Sequence, residues 1–148
     1  MDPRPLHPNV RKLWRVIALM VTVPLIAVVA VGGTLLELPA IVWGALGLAI
    51  LVPALIVPKL AYRRWRYAIR EHDLYTSKGA IWHVETLVPF DWIQFVESRQ
   101  GPLDRAFTLT QVVVYTAAGK ATSIPGLDQF TAESIREDLS QVAGAASV

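Results

Sequence analysis

The side chains best suited to metal chemistry belong to one alternating segment, where His83 and Glu85 stand two residues apart. That spacing would place an imidazole and a carboxylate on the same face of a β-strand, and both groups are common zinc ligands. A zinc site needs at least three protein ligands, and the sequence offers no evident third one near this pair. We therefore interpret the two residues as a polar patch on an exposed strand face, and we predict neither a metal site nor a cofactor.

The sequence contains no other catalytic arrangement that we can identify. Ser, His and Asp residues occur, but no glycine-flanked nucleophile elbow and no glycine-rich phosphate loop accompanies them. The absence of cysteine excludes disulfides, thiolate nucleophiles and cysteine metal ligands. We predict that the protein is not an enzyme.

A basic cluster follows the second of two long apolar runs and could contact anionic lipid headgroups. The cluster consists of Lys59, Arg63, Arg64, Arg66 and Arg70. A basic side chain close to anionic lipid gains about 1 kcal/mol of attraction. The same charges could instead serve only to fix the orientation of the chain in the membrane. Both interpretations remain open, and they are compatible with each other.

Two membrane-spanning helices must position this cluster. No charged side chain occurs in residues 16–36 or in residues 38–58. Each run supplies the roughly 20 apolar residues that cross the hydrocarbon layer of a bilayer. The short connection around Glu37 contains glycine and proline, which favour a tight turn. We predict a transmembrane helical hairpin over residues 14–58, with helices at about 14–36 and 39–58.

The distribution of basic residues predicts the orientation of the hairpin. Four precede the first run, namely Arg4, Arg11, Lys12 and Arg15. Because the connection between the helices carries only Glu37, the positive-inside rule places both termini in the cytoplasm. If the first run were a cleaved signal peptide instead, the domain after Lys59 would still be cytoplasmic. We predict a multi-pass protein of the inner (plasma) membrane, with a basic cytoplasmic tail at 1–13.

Composition and charge favour lipid and protein partners over nucleic acid. The chain of 148 residues is 53% hydrophobic, and its apolar excess precedes Lys59. The net charge is +2, but the later part balances its charges and carries no basic stripe that could follow a phosphate backbone. We predict contact with the lipid bilayer, a membrane-protein partner or self-association, and no binding to nucleic acid.

Residues 59–148 change to short strands that are separated by turn residues, and they end in a helix. The predicted strands lie at 65–71, 74–77, 80–88, 92–99, 111–116 and 121–124. The final segment repeats apolar residues at helical spacing, at Ala132, Ile135, Leu139 and Val142. Either Asp128 or Thr131 could cap this helix. The pattern predicts a small α+β domain with six or seven strands and one C-terminal helix.

Four segments of this domain resemble a known family. They are VPFDWIQFV at 88–96, QGPLDR at 100–105, VVVYTAAG at 112–119 and IPGL at 124–127. Together they resemble the bacterial pleckstrin-homology-like (PH-like) domain of the YdbS type. The resemblance implies a membrane hairpin directly before a split β-barrel of about seven strands, closed by a C-terminal helix. It also implies no established enzymatic activity.

The resemblance directs attention to one loop. Gly101, Pro102, Leu103 and Arg105 form either a structural turn or a partner-recognition loop. Members usually carry Gly-Leu a few residues after the position of Arg105, whereas this chain has the sequence FTL at 107–109. Eukaryotic PH domains bind phosphoinositides through a basic first hairpin loop, but the corresponding residues here, 71–73, are largely acidic. We do not transfer that site to this chain.

The sequence therefore supports three functional hypotheses. The first is a membrane-anchored, non-catalytic interaction module that presents its domain to a protein partner at the inner membrane surface. The second is a sensor or organiser of anionic lipid surfaces that uses the basic cluster. The third is an accessory subunit of a membrane enzyme or transporter.

Overall fold

The computed structural model of the protein describes residues 4–146, and the side chains through Gly144. The helices are α1 (Asn9–Leu35), α2 (Ala40–Arg64), α3 (Pro102–Ala106) and α4 (Gln129–Ala146), with a 3-10 turn at Phe90–Trp92. The strands are β1 (Arg66–Ile69), β2 (Asp73–Lys78), β3 (Val84–Pro89), β4 (Ile93–Arg99), β5 (Thr110–Thr116) and β6 (Gly119–Leu127).

Helices α1 and α2 form the predicted hairpin, and both are long and apolar enough to cross a membrane. Glu37 turns the chain between them with a φ of 51°. The two helices approach closely at Gly33, where a Cβ atom would lie 2.6 Å from Cδ1 of Trp43. Helix α2 continues past the predicted end at residue 58 and stops at Arg64. The last turns of α2 therefore lead directly into the domain.

The domain contains two antiparallel sheets of three strands each, in the orders β1-β2-β3 and β4-β5-β6. Their inward residues form one apolar core, which includes Leu74 of β2, Val112 of β5 and Ile124 of β6. Between the sheets, the hydroxyl oxygens of Thr76 and Thr122 are 2.9 Å apart and share a buried hydrogen bond. This contact joins the two sheets inside the core.

The expectation of a split barrel of about seven strands was wrong in the number of strands and in the closure of the barrel. Six strands form two separate sheets within residues 4–146, and together they are not a closed barrel. The break lies between β3 and β4, where Pro89 lacks a backbone donor and the 3-10 turn redirects the chain. The arrangement of two sheets and a C-terminal helix remains consistent with a PH-like domain.

Three predicted strands also differ from the structure in their boundaries, and the strand predicted at 65–71 already ends at Ile69. Residues 80–83 form a turn before β3, because the chain reverses at Gly79, which has a φ of +130°. At the other end of the domain, β6 runs through Pro125 to Leu127 although proline and glycine were expected to end it. Proline is tolerated there because β6 is an edge strand. The strands predicted at 74–77, 92–99 and 111–116 are confirmed within a residue or so.

The N-terminal segment packs into the domain. Leu6, Val10 and Leu13 are buried in the same core as the strands. Arg4 pairs with Tyr67 of β1 through two backbone hydrogen bonds of 2.7 and 3.1 Å. The first turns of α1 therefore belong to the domain, and α1 connects that core to the hairpin without an intervening linker.

Helix α4 covers one end of the second sheet. Ala132, Ile135 and Leu139 point into the core, as their spacing predicts, whereas Val142, the fourth residue of the predicted stripe, is exposed. Asp128 is the N-cap: its carboxylate accepts hydrogen bonds from the backbone N–H and the hydroxyl of Thr131, at 3.0 and 2.7 Å. These bonds hold the pKa of Asp128 below its ordinary value.

Candidate functional site

The predicted basic cluster is divided between helix α2 and the domain. Lys59, Arg63 and Arg64 are exposed on the last turns of α2. The guanidinium of Arg64 donates a hydrogen bond of 2.8 Å to the carbonyl oxygen of Ala80. Within residues 4–146, no acidic side chain lies within ion-pair distance of Lys59 or Arg63. These two cations remain available to an anionic ligand.

The other two members of the cluster have partners within the domain. Arg66 lies in β1, is half-buried and donates to the carbonyl oxygen of Trp65 at 2.8 Å. Arg70 follows β1, lies 3.8 Å from Asp73 and sits over the ring of Tyr75 at 4.7 Å. At about 3.3 Å per strand residue, Arg70 is more than 10 Å along the chain from Arg66. The structure therefore does not bring all five residues together.

Helix α1 adds cations that the basic cluster did not include. Arg11, Lys12 and Arg15 are exposed near the end of α1 that packs on the domain. Because α1 and α2 run antiparallel in the hairpin, this end lies at the same side as Lys59 and Arg63. We call these five residues the basic collar. The sequence signal for it was the pairing of basic flanks at both outer ends of the hairpin.

The predicted recognition loop forms the short helix α3. Its first turn is closed by Asp104, whose carboxylate accepts a hydrogen bond of 3.1 Å from the backbone N–H of Gly101. Leu103 is half-buried against the core, whereas Pro102 and Arg105 are exposed. The two acidic side chains closest to Arg105 in the sequence have other partners, since Glu97 pairs with Arg99 and Asp104 caps α3.

The turn after α3 contains the departure from the usual Gly-Leu pair. Thr108 has a φ of +57°, the left-handed conformation that glycine adopts without strain. The turn is stabilised by a hydrogen bond of 2.8 Å from the backbone N–H of Leu109 to the carbonyl oxygen of Asp104. The chain thus adopts this conformation at a β-branched residue, for which it is unfavourable.

His83 and Glu85 meet on an exposed surface, with Nε2 and Oε1 separated by 3.1 Å. Glu85 also accepts a hydrogen bond of 2.6 Å from the hydroxyl of Tyr75. The Tyr75 bond, followed by the His83 contact, lowers the pKa of Glu85, and the bond to Glu85 raises the pKa of Tyr75. Both shifts move the pKa away from neutral pH. A general acid or base works best with a pKa close to neutral pH.

Strand β4 and helix α4 enclose a groove of about 560 Å³ that the sequence did not predict. Gln94, Phe95 and Val96 line one side, and Ser140 and Ala143 line the other. Strand β4 lies at the edge of its sheet, so one side of its backbone pairs with no strand within residues 4–146. The groove thus combines backbone hydrogen-bonding groups with a mixed polar and apolar wall.

The outer face beside this groove is ordered by aromatic and ionic contacts. The rings of Phe95 and Tyr115 stack with centroids 4.4 Å apart and an angle of 13° between their planes. Arg99 donates to Glu97 at 3.0 Å and to the hydroxyl of Tyr115 at 3.3 Å. The bond to Arg99 lowers the pKa of Glu97. The ring stacking and the Arg99–Tyr115 bond link the edge strand β4 to β5.

Comparison with known proteins agrees with this architecture. Residues 15–143 match the family described as bacterial PH domain. The UPF0699 transmembrane protein YdbS of Bacillus subtilis (strain 168) is 31% identical over 145 residues, which cover 93% of this chain and 91% of that protein. No solved structure matches the chain significantly.

Proposed function

The chain belongs to the bacterial PH domain family, and on that premise we propose that it is a membrane-anchored, non-catalytic interaction module. Its domain faces the cytoplasm and holds an extended segment of a membrane-protein partner against strand β4. If that partner is an enzyme or transporter, the chain is its accessory subunit. The observation that best supports this proposal is the groove between the open edge of β4 and helix α4.

The groove suits an extended peptide for two reasons. An added strand can satisfy the backbone groups at the edge of β4, which is the usual basis of strand addition to a sheet. The side chains of the same peptide can pack on Val96 and Ala143, which are half-buried in the groove wall. Backbone pairing would supply affinity, and the size of the groove would limit which side chains enter.

The test replaces one serine in the groove and one outside it. Ser140→Arg places a long side chain in the groove, and Ser134→Arg is the matched control on the same helix. Both serines are exposed, but Ser134 lies toward Arg4 and Tyr67 instead of β4. The full-length chain carrying each change is purified gently from its native membrane, and its companions are quantified by mass spectrometry.

We expect a stoichiometric membrane-protein companion with the unchanged chain and with Ser134→Arg, and at least a tenfold loss with Ser140→Arg. A photo-crosslinker at residue 140 should join the same companion. A chain without a specific companion would contradict the proposal, as would a companion that both variants retain equally. A crosslink from residue 140 to a second copy of the chain would assign the groove to self-association instead.

The basic collar favours a second function, the recognition of anionic lipid at the inner surface. Lys59 and Arg63 lack acidic partners within the described residues, and cations near anionic lipid are attracted to it. We expect the double change Lys59→Gln with Arg63→Gln to lower, severalfold, the ratio of anionic to zwitterionic lipid that copurifies from a mixed bilayer. Lys120→Gln is the control, because Lys120 is exposed near the start of β6. An unchanged lipid ratio would refute lipid recognition by the collar.

A further inference from the structure

The turn between β2 and β3 exposes two adjacent large apolar side chains. Ile81 and Trp82 are 75% and 82% exposed, respectively. Large apolar groups that are contiguous and exposed mark a contact surface more often than isolated ones do. Their position in the molecule indicates what covers them.

The turn lies beside the ends of both membrane helices. An apolar recess of about 500 Å³ is lined by Trp14 of α1 and Ala61 of α2 together with Ile81 and Trp82. The hydrogen bond from Arg64 to the carbonyl oxygen of Ala80 fixes the turn to the last turn of α2. The turn that carries the two exposed side chains is thus bonded to the hairpin and is also part of the domain.

The depth of this recess corresponds to the headgroup region of a bilayer. Ala61 lies three residues beyond Pro58, the last residue of the charge-free run, which is about 4.5 Å along the helix. The headgroup region occupies roughly 5–7 Å on each side of the hydrocarbon core. Tryptophan favours this layer because its ring is amphipathic. Trp14 and Trp82 therefore reach the same layer from different parts of the chain.

The backbone of the turn keeps this presentation rigid. Gly79 has a φ of +130°, and a Cβ atom there would overlap the carbonyl oxygen of Trp82. The close return of the chain across Gly79 determines where Ile81 and Trp82 project. Lys78 precedes the turn, so a cation stands beside the apolar pair, as in many interfacial segments.

We propose that Ile81 and Trp82 insert into the headgroup and upper acyl region of the bilayer that the hairpin spans, as a third anchor that fixes the orientation of the domain. The turn lies beside the end of α2, a helix whose apolar side chains, such as Leu55 and Ile56, are exposed to lipid when the helix spans a membrane. The same lipid phase therefore covers both surfaces. The spans hold the chain in the membrane, and the turn limits how far the domain can tilt. This anchor does not depend on the groove beside β4.

Site-directed spin labelling can test the insertion directly because the chain has no cysteine. Trp82→Cys carries the label, and Phe130→Cys is the matched control, since Phe130 is also 82% exposed but lies in the first turn of helix α4. The full chain is placed, one copy per nanodisc, in a bilayer of phosphatidylglycerol and phosphatidylcholine. Collisions of each label with oxygen, which concentrates in lipid, and with a water-soluble nickel chelate are compared.

We expect the ratio of oxygen to nickel accessibility to be at least threefold higher at residue 82 than at residue 130. Equal ratios at the two positions would overturn the proposal. Shielding of residue 82 from both reagents would also overturn it, because that result indicates contact with protein instead of lipid.

A second measurement tests whether the turn fixes the orientation of the domain. Distances from the label at residue 130 to paramagnetic lipid headgroups are compared between the unchanged turn and the double change Ile81→Ser with Trp82→Ser. Both side chains are exposed, so the core is expected to remain folded, and circular dichroism checks this. We expect a narrow distance distribution with the unchanged turn and a distribution at least twice as broad in the double variant. An unchanged distribution in a folded variant would refute the anchoring role.

Discussion

Gly126 gives the sharpest test of how the membrane hairpin is joined to the domain. This residue has a φ of +66°, and a Cβ atom there would overlap Cγ2 of Val10. Val10 is fully buried and belongs to the first turn of helix α1. A hydrogen bond of 3.3 Å from the backbone N–H of His7 to the carbonyl oxygen of Gly126 adds to the contact. Gly126→Ala therefore perturbs the point where α1 enters the core.

The loss of stability expected for Gly126→Ala has two separate contributions. The left-handed conformation is unfavourable for alanine by about 1–2 kcal/mol, which is partly offset because glycine has more freedom in the unfolded chain. Forcing a methyl group into a filled core adds about 1–3 kcal/mol. We expect Gly126→Ala to lower the free energy of unfolding by about 2–4 kcal/mol.

A double-mutant cycle separates these costs. Val10→Ala alone should destabilise the domain by about 2–3 kcal/mol, because it removes buried methyl groups and leaves a cavity. The same change makes room for the new Cβ atom at Gly126. The double variant should then be more stable than the two single effects imply by about 1–3 kcal/mol, the overpacking part of the cost.

The assay is urea-induced unfolding of the full-length chain in micelles, followed by tryptophan fluorescence, since Trp65 is buried in the same core. Gly119→Ala is the control: Gly119 also has a positive φ, of +104°, but no heavy atom lies within 4 Å of its Cβ position. Its effect should not depend on Val10→Ala. If the effects of Gly126→Ala and Val10→Ala are additive within about 0.5 kcal/mol, the proposed contact between α1 and β6 is refuted.

Three further changes test single features of the domain by the same unfolding assay. Thr108→Gly should raise the free energy of unfolding by about 0.5–1 kcal/mol, because it relieves a left-handed β-branched residue; a decrease would contradict the turn geometry. Thr76→Val should cost about 1–3 kcal/mol, because it leaves the buried hydroxyl of Thr122 unpaired, and changing both to valine should recover most of that loss. Asp128→Ala should cost about 0.5–2 kcal/mol through loss of the N-cap. The lowered pKa of Asp128 means that its contribution is present above the ordinary value of 3.8 and is lost as the pH falls through the folded value. Asp128→Ala should therefore also flatten the acid limb of the stability profile, and an unchanged limb would refute the assignment.

The interaction surfaces differ in how well local sequence indicates them. The basic collar was visible as charges on the outer flanks of two apolar runs, because a helix end at a membrane surface is defined by local composition. The groove beside β4 was not visible, because it depends on which strand lies at a sheet edge and on where α4 packs. The β2–β3 turn was only partly predictable from the sequence. Gly79 signalled a reversal, but its proximity to Trp14 and Ala61 comes only from the packed structure.

Local sequence determined the elements of this protein. Charge-free runs of sufficient length specified the hairpin, and alternation specified most strands. Helical spacing of Ala132, Ile135 and Leu139 specified the buried face of α4, because the period of apolar residues is a local property of each element. The polar side chains near its start identified two candidate caps, and the structure selected Asp128.

Tertiary packing decided how those elements combine. Nothing local distinguishes Leu6, Val10 and Leu13 from a solvated basic tail, yet they are buried against strands more than fifty residues away. Likewise, proline and glycine at 125–126 continue β6 because the strand lies at an edge and Val10 fills the space beside Gly126. Burial is a property of the assembled core, where distant segments exclude water from one another. The sequence therefore determined each element, and only the packed structure decided which surfaces remain open to lipid or to a partner.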